Sequence, residues 1–479
     1  MDDFIERLVR LERAALALVV VALIIMLAVS AVRAYHKRFP RASRLQVLPD
    51  GRADGIVFGR ACPGVLACSP STAEGHIAVF GGSGLGKTSA LLIPTLRAWT
   101  GAALTIDISG DICSNVPGDK LIFAPLAPDN SCCYSPFYRI DLLEDEAYQD
   151  EALEQLAYLL MPRPVGQTSD SSAFFIGEGR KILIAALLAG YHSGKDFVEI
   201  CRNIVSLSWQ DLFSAIDKAK YPLASSYINP FMGANEKNTA GCKQSVDEAV
   251  GLFARNRRVM AALHRPAPGE LCYTPPCLER QQVYIIVPDE ALEQLAPLLH
   301  LITAQTLEYI SMRPLDAKTP ILLALDEFAS LGKLDITPAL RKARKRHTRI
   351  MVLTQSMADL DLIYGKEERA SMMANFAFKA VLGAADTDTQ EYFSKLIGMA
   401  DAAKESRTLS GLAPSSRTIT TEQRYAVEPC SLANLGNNLI LLHPGGYTRL
   451  RKSPFVRRTT PRSTGTVTQG PTRALLLCL

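Results

Sequence analysis

Residues 81–88 read Gly81-Gly82-Ser83-Gly84-Leu85-Gly86-Lys87-Thr88 and fit G-x-x-x-x-G-K-[ST] without a gap. Glycines at this density let backbone N–H groups turn inward around a phosphate. The run His76-Ile77-Ala78-Val79-Phe80 before them reads as a short buried strand. The run Ser89-Ala90-Leu91-Leu92-Ile93-Pro94 after them reads as the opening of a helix, whose N-terminus adds partial positive charge. In that setting Lys87 is placed to reach the β- and γ-phosphates of a nucleoside triphosphate, and Thr88 to hold Mg²⁺.

Phosphoryl transfer needs acids as well. Ile321-Leu322-Leu323-Ala324-Leu325 runs straight into Asp326-Glu327, the pattern of a Walker B strand. Asp326 would orient Mg²⁺ through its water shell, and Glu327 would polarise an attacking water. A second apolar run, Ile350-Met351-Val352-Leu353, ends in Thr354-Gln355-Ser356. Gln355 is placed either to sense a γ-phosphate or to close a strand as an ordinary polar residue. Between the two runs lie Arg341, Lys342, Arg344, Lys345, Arg346, His347 and Arg349. Three readings of this basic segment stand side by side: a solvated helix face, an arginine finger toward a neighbour's γ-phosphate, and contact with a nucleic-acid backbone.

The elements that must carry these groups follow from the wider pattern. At 479 residues the chain has room for more than one domain, and a net charge of +4 names no partner. Apolar content of 48% with 21% charged residues describes an ordinary folded protein and excludes a disordered or collagenous one. Ala14–Val32 carries no charged side chain and only Ser30 as a polar one. At about 1.5 Å per residue it is long enough to cross a bilayer core. Arg7, Arg10 and Arg13 precede it, and Arg33, Lys37, Arg38, Arg41 and Arg44 follow it. The excess places the C-terminal side in the cytoplasm, where ATP is. The 11 cysteines show no C-x-x-C and no regular spacing, so neither a disulfide framework nor a zinc site is expected from them.

Strand signals recur at Ala102–Ile106, ending in Asp107, and at 120–123, 282–287, 321–325, 350–353, 378–383 and 439–442. Alternation with helices predicts an α/β fold around a central, mostly parallel sheet. From about 145 to 272 helical periodicity dominates. The expected organisation is an N-terminal segment 1–34 with a transmembrane helix at about 14–32, a basic juxtamembrane linker 35–70, a nucleotide-binding domain 71–150 and 273–458, an all-α insertion 151–272, and a disordered tail 459–479. Trp209 is expected in the core of the insertion.

Asp326-Glu327-Phe328-Ala329-Ser330-Leu331-Gly332 resembles the Walker B segment of type IV secretion coupling proteins, the TraG/TraD group of the FtsK–HerA superfamily. Thr354-Gln355-Ser356, Tyr364-Gly365, Asn375, Gly383 with Asp386, and Gly398 are similar in the same order, as is His76–Thr88 upstream. The resemblance spans roughly 70–460. It implies a RecA-like P-loop NTPase domain with an inserted all-α domain, ATP and Mg²⁺ as ligands, and a membrane-anchored homo-hexamer. It implies DNA, a relaxase or protein effectors, and the inner-membrane parts of a secretion channel as partners. The trans-acting arginine falls best on Arg344, with Arg341, Arg346 and Arg349 close by. There are departures: one membrane span where two are usual, Asp107-Ile108-Ser109-Gly110-Asp111 where Asp-x-Lys-Gly-Glu is common, and Ser135-Pro136 for Asn-Pro.

The expected function is an ATP-driven, single-pass inner-membrane coupling protein that recruits a relaxase–DNA complex and pumps DNA into a conjugation apparatus. Two alternatives remain at this level. One is a DNA translocase without a secretion partner, and the other a membrane receptor for protein substrates with ATP as a conformational switch.

Overall fold

A computed structural model describes residues 45–127, 131–162, 170–408 and 416–455, together with Met26 and Asp129. The expected span 14–32 (Met26 apart) and the tail 459–479 lie outside the described residues. Among the described residues no helix is long and apolar enough to cross a membrane.

Seven parallel strands form the centre of a 12-stranded sheet: β4 (His76–Phe80), β5 (Ala102–Asp107), β6 (Lys120–Phe123), β9 (Gln282–Ile286), β10 (Ile321–Leu325), β11 (Thr348–Thr354) and β12 (Phe376–Val381). Their spatial order, β12-β4-β11-β10-β5-β9-β6, differs from their order in the chain. These runs are mostly apolar because both faces are covered. Residues alternate between the two cores: Ala78 and Phe80 of β4 face one, Ile77 and Val79 the other. The same split divides Ile350 and Val352 from Met351 and Leu353 on β11.

Five antiparallel strands extend the sheet beyond β12. They are β15 (Asn438–His443), β16 (Gly446–Arg451), β2 (Ile56–Cys62), β3 (Val65–Ser69) and β1 (Gln46–Pro49). The stretch expected as a basic linker therefore folds, from residue 46 onward, into three strands of the sheet. Ile56-Val57-Phe58 and Val65-Leu66-Ala67 flank Pro63-Gly64, a turn signal between two apolar runs. Arg60, on β2, keeps its side chain half-exposed and pairs with Asp50 at 2.6 Å. A hairpin of β13 (Met399–Thr408) and β14 (Ser416–Tyr425), also unforeseen, stands apart from the main sheet.

Between β6 and β9 the chain makes a short strand β7 (Cys133–Tyr134), the helices, and then β8 (Cys272–Tyr273), which pairs back onto β7. After α1 (Ile93–Ala98) and α2 (Asp111–Asn115), the helical block comprises α3 (Glu146–Leu160), α4 (Asp170–His192), α5 (Phe197–Ser206), α6 (Trp209–Lys218), α7 (Pro222–Ile228), α8 (Glu236–Arg255) and α9 (Arg257–Ala262). Their starts are set by side-chain caps: Asp196, Ser208, Asn235 and Asn256 each accept from a backbone N–H of the helix that follows. Trp209 is partly buried and packs on Phe213 with ring centroids 5.6 Å apart.

Arg349, one of the basic run, lies inside the fold at 1% exposure. Its Nε donates to the Gly75 carbonyl at 2.8 Å, and NH1 donates to Ser69 Oγ at 3.0 Å and the Pro70 carbonyl at 3.2 Å. It ties the end of β3 to the start of β4, so the expectation that Arg349 contacts DNA or a neighbour's nucleotide is corrected: strand alternation turns this side chain inward. Arg349→Ala is expected to lower unfolding stability by ~2–4 kcal/mol, read from the urea midpoint, because several buried carbonyls lose a charged donor at once. Arg344→Ala, at an exposed position, is expected to change it by less than ~0.5 kcal/mol.

Candidate functional site

Parallel strands bring their C-terminal ends to one edge, and three of those ends meet. The phosphate loop follows β4, Asp326-Glu327 follows β10, and Gln355 follows β11, which lies between the other two. Gly81 N–H donates to the Thr354 carbonyl at 3.2 Å, continuing the β4–β11 ladder into the loop. Gly84 and Gly86 hold φ of 74° and 91°, the left-handed region that glycine adopts without strain. A helical segment, Lys87–Leu92, runs on into α1. Gly383, just past β12, lets the loop pack closely: a Cβ there would stand 2.7 Å from Leu85 Cδ1.

Lys87 is 5% exposed. Its Nζ donates to the Gly81 carbonyl at 2.9 Å and lies 3.3 Å from Glu327 Oε1. Thr88 Oγ1 donates to Asp326 Oδ2 at 2.9 Å. The other Asp326 oxygen accepts the Glu327 N–H at 3.1 Å. Burial pushes the Asp326 carboxyl up to about 6, with the Glu327 charge adding to that and the Thr88 hydroxyl opposing it. Glu327 sits at φ 43° and ψ 50°, a conformation that costs a non-glycine residue energy and turns its side chain back over the loop. Gln355 Nε2 donates to Glu327 Oε2 at 3.4 Å. Lys87, Thr88, Asp326, Glu327 and Gln355 thus form one connected set.

The basic run lies at the other pole. It precedes β11, whose length of about 20 Å separates it from Gln355. Arg344 is exposed and lies 3.5 Å from Glu74, which itself precedes β4 at that same pole. Arg341 donates to Ser371 Oγ at 3.1 Å, and Lys342 and Lys345 are exposed. Arg346 is half-buried, its Nε donating to the Arg313 carbonyl at 2.9 Å. No member of the run reaches the phosphate loop of its own chain.

Asp107 was legible only as a strand end. Its buried carboxylate accepts from the N–H groups of Gly110 at 2.9 Å and Cys113 at 2.7 Å, and burial raises its pKa. It organises the turn that departs from the common Asp-x-Lys-Gly-Glu. A cleft of about 770 Å³, bordered by Arg255, Arg257 and Arg258, lies on the helical block and shares no residue with the phosphate site.

The profile of the type IV secretion-system coupling protein DNA-binding domain matches residues 60–457. The chain belongs to this family. Coupling-family relatives include protein VirD4 of Agrobacterium fabrum, 26% identical over 364 residues that make up 72% of this chain and 53% of the relative. The conjugal transfer protein TraG of Escherichia coli is 22% identical over 405 residues, 74% of this chain and 61% of that one. The chain spans about half the length of the VirD4 relatives it matches. Among solved structures, the conjugative coupling protein TrwBdeltaN70 superposes with a TM-score of 0.64 at 20% identity, covering 84% of this chain and 90% of that one. TrwB in complex with ADP and Mg²⁺ superposes with a TM-score of 0.62 at 22% identity, covering 80% and 86%. Both show a shared fold, with the large, mostly parallel sheet in common.

Asp326 sets a pH signature for the ligand-free chain. Its carboxyl ordinarily titrates at 3.8 and is raised to about 6 by burial, so the folded chain keeps a proton that the unfolded chain has lost in that window. The stability tied to this proton is present below about pH 4 and is lost as pH rises through about 6. Asp326→Asn is therefore expected to stabilise the ligand-free chain by ~1–3 kcal/mol at pH 8 and by little at pH 4, read from denaturant midpoints at the two pH values. Equal stabilisation at both would exclude this origin.

Proposed function

We propose that this chain is the ATPase core of a membrane-anchored coupling protein that recruits DNA with its relaxase, or protein effectors, and drives them into a type IV secretion channel. The observation that carries the proposal is the convergence of Lys87, Thr88, Asp326, Glu327 and Gln355 at one sheet edge. The donor set fits a Mg-nucleotide: Thr88 and Asp326 offer two hard oxygens, and the loop offers backbone N–H groups beside an ammonium. TrwB structures with an ATP analogue and with ADP and Mg²⁺ support the same ligands.

Magnesium, when bound, supplies positive charge to the phosphate oxygens. The rest is done by side chains. Lys87 leaves the Gly81 carbonyl and Glu327 for the phosphates, where its charge is better matched. That frees Glu327 as acceptor for the proton of an attacking water, and Gln355 holds its carboxylate in line. Thr88 gives up its hydrogen bond to Asp326 and turns its oxygen to the metal. Charge building on the γ-phosphate needs an additional cation, and no arginine of the same chain's basic run reaches it. Arg344 of a neighbouring subunit in a ring fills that role. The exposed Arg341, Lys342 and Lys345 then face the neighbour or a DNA backbone, with half-buried Arg346 fixing the base of the run. An anchor at 14–32 keeps the ring at the cytoplasmic face of the inner membrane.

The full chain is expected to hydrolyse ATP with a rate that climbs faster than linearly with protein concentration and rises on adding DNA. Lys87→Ala abolishes nucleotide binding. Glu327→Gln keeps it and slows hydrolysis about 10²–10⁴-fold. Arg344→Ala slows hydrolysis about 10³-fold with binding intact. Mixing the Lys87→Ala and Arg344→Ala chains restores part of the rate, because some interfaces then hold both groups. A folded oligomer without hydrolysis, with and without DNA, would sink the motor; a silent mixture would remove Arg344 from the neighbour's site.

A further inference from the structure

Where the helical block joins the sheet domain, side chains suited to a soft metal gather from both ends of the insertion. Cys133 on β7 stands opposite Cys272 on β8 in a parallel pair. Both are free cysteines. His264 follows α9, and Glu270 lies just ahead of β8. The ligand atoms of Cys133, His264 and Glu270 all lie within 4.8 Å of one another.

The hydrogen bonds of His264 sharpen this. Its Nδ1 lies 3.0 Å from the Ala261 carbonyl, which can only accept, so Nδ1 carries the proton. The other ring nitrogen, Nε2, faces Glu270 Oε1, 2.8 Å away. A shared proton accounts for that distance, and a metal ion, about 2 Å from each atom, would take the proton's place as the two move slightly apart. The other Glu270 oxygen accepts the Ala267 N–H at 2.8 Å, which fixes the carboxylate in place. An imidazole oriented by a backbone carbonyl, beside a carboxylate held by the main chain, is the usual support of a metal-binding pair.

We propose that Cys133, His264 and Glu270 bind a zinc ion that clips together the two chain ends of the helical insertion, with Cys272, opposite Cys133 but outside their 4.8 Å cluster, turning in as the fourth donor. A set of two sulfurs, one nitrogen and one oxygen suits tetrahedral Zn²⁺, whereas Mg²⁺ and Ca²⁺ prefer oxygen alone. Burial raises both thiols, so the metal displaces their protons on binding. Cys133 is buried while Glu270 is exposed, which leaves the ion a path from solvent. The site closes a long loop, the arrangement in which a cross-link restricts the unfolded chain most.

The test is Zn²⁺ titration of the full chain, stripped with chelator and reduced, against a chromophoric competitor, with Co²⁺ as a spectroscopic substitute. One equivalent of zinc, proton release, and a thiolate-to-cobalt charge-transfer band are expected. His264→Ala and Glu270→Gln, at accessible positions that leave the core intact, should each weaken binding about tenfold or more. Cys133→Ser should remove the charge-transfer band or halve it. No stoichiometric zinc, zinc retention unchanged in all three variants, or a Cys133–Cys272 disulfide in place of metal would each overturn the proposal.

Discussion

Thr88 and Asp326 share a 2.9 Å hydrogen bond although 238 positions separate them in sequence. That contact exists only because β11 is threaded between β4 and β10, so that two strand ends flank a third. The sheet is therefore less a scaffold for one loop than a device for bringing distant segments to one edge. Buried strands with both faces covered tolerate almost no register error, since a slip of one residue exchanges the two cores. The alternation of Ile77 and Val79 against Ala78 and Phe80 makes β4 rigid, and that rigidity is inherited by the groups at its end.

The same topology gives the domain two poles. Phosphate chemistry collects where the parallel strands end, and the arginines and lysines collect where β11 begins. A single chain thus places Glu327 and the exposed side chains of Arg341 and Arg344 about 20 Å apart. Separation of that kind has little use in a monomer. In the ring proposed above, one subunit's basic pole would meet the next subunit's phosphate edge. Arg349 and Arg346 show what stays local. They share the run's composition, but their side chains bond to backbone carbonyls and hold the segment from which Arg344 projects.

Much of this was legible in the residues. The phosphate loop, the Asp326-Glu327 pair and Gln355 are local patterns, and each central strand shows as an apolar run because burial on both faces erases alternation. What could not be read was set by distant partners. The β2–β3 hairpin lies in a stretch whose charge reads as a basic linker, and its two short apolar runs gain meaning only from the strands beside them. Arg349 reads as surface charge until the pleat of β11 turns it toward the carbonyls of Gly75 and Pro70. The left-handed backbone of Glu327 has no sequence signal at all. Cysteine spacing argued against a metal centre, yet β7 and β8 set Cys133 beside Cys272 across the whole insertion.

That last juxtaposition bears on how the two parts of the molecule act together. The helical block leaves the sheet domain after β7 and returns at β8, so a two-residue parallel pair is its root. Tyr134 and Tyr273, the second residues of the pair, are fully buried, and their hydroxyls reach Gln305 and Thr306 on α10 (Leu292–Met312). That helix leads into β10 and so to Asp326. The root of the insertion and the carboxylate of the phosphate site are consequently joined through α10, the turn segment that follows it, and β10. A displacement of Asp326 on nucleotide binding has a short mechanical path to the insertion, and stiffening the root with a metal would pass more of that displacement to the helices than a bare two-residue pair could.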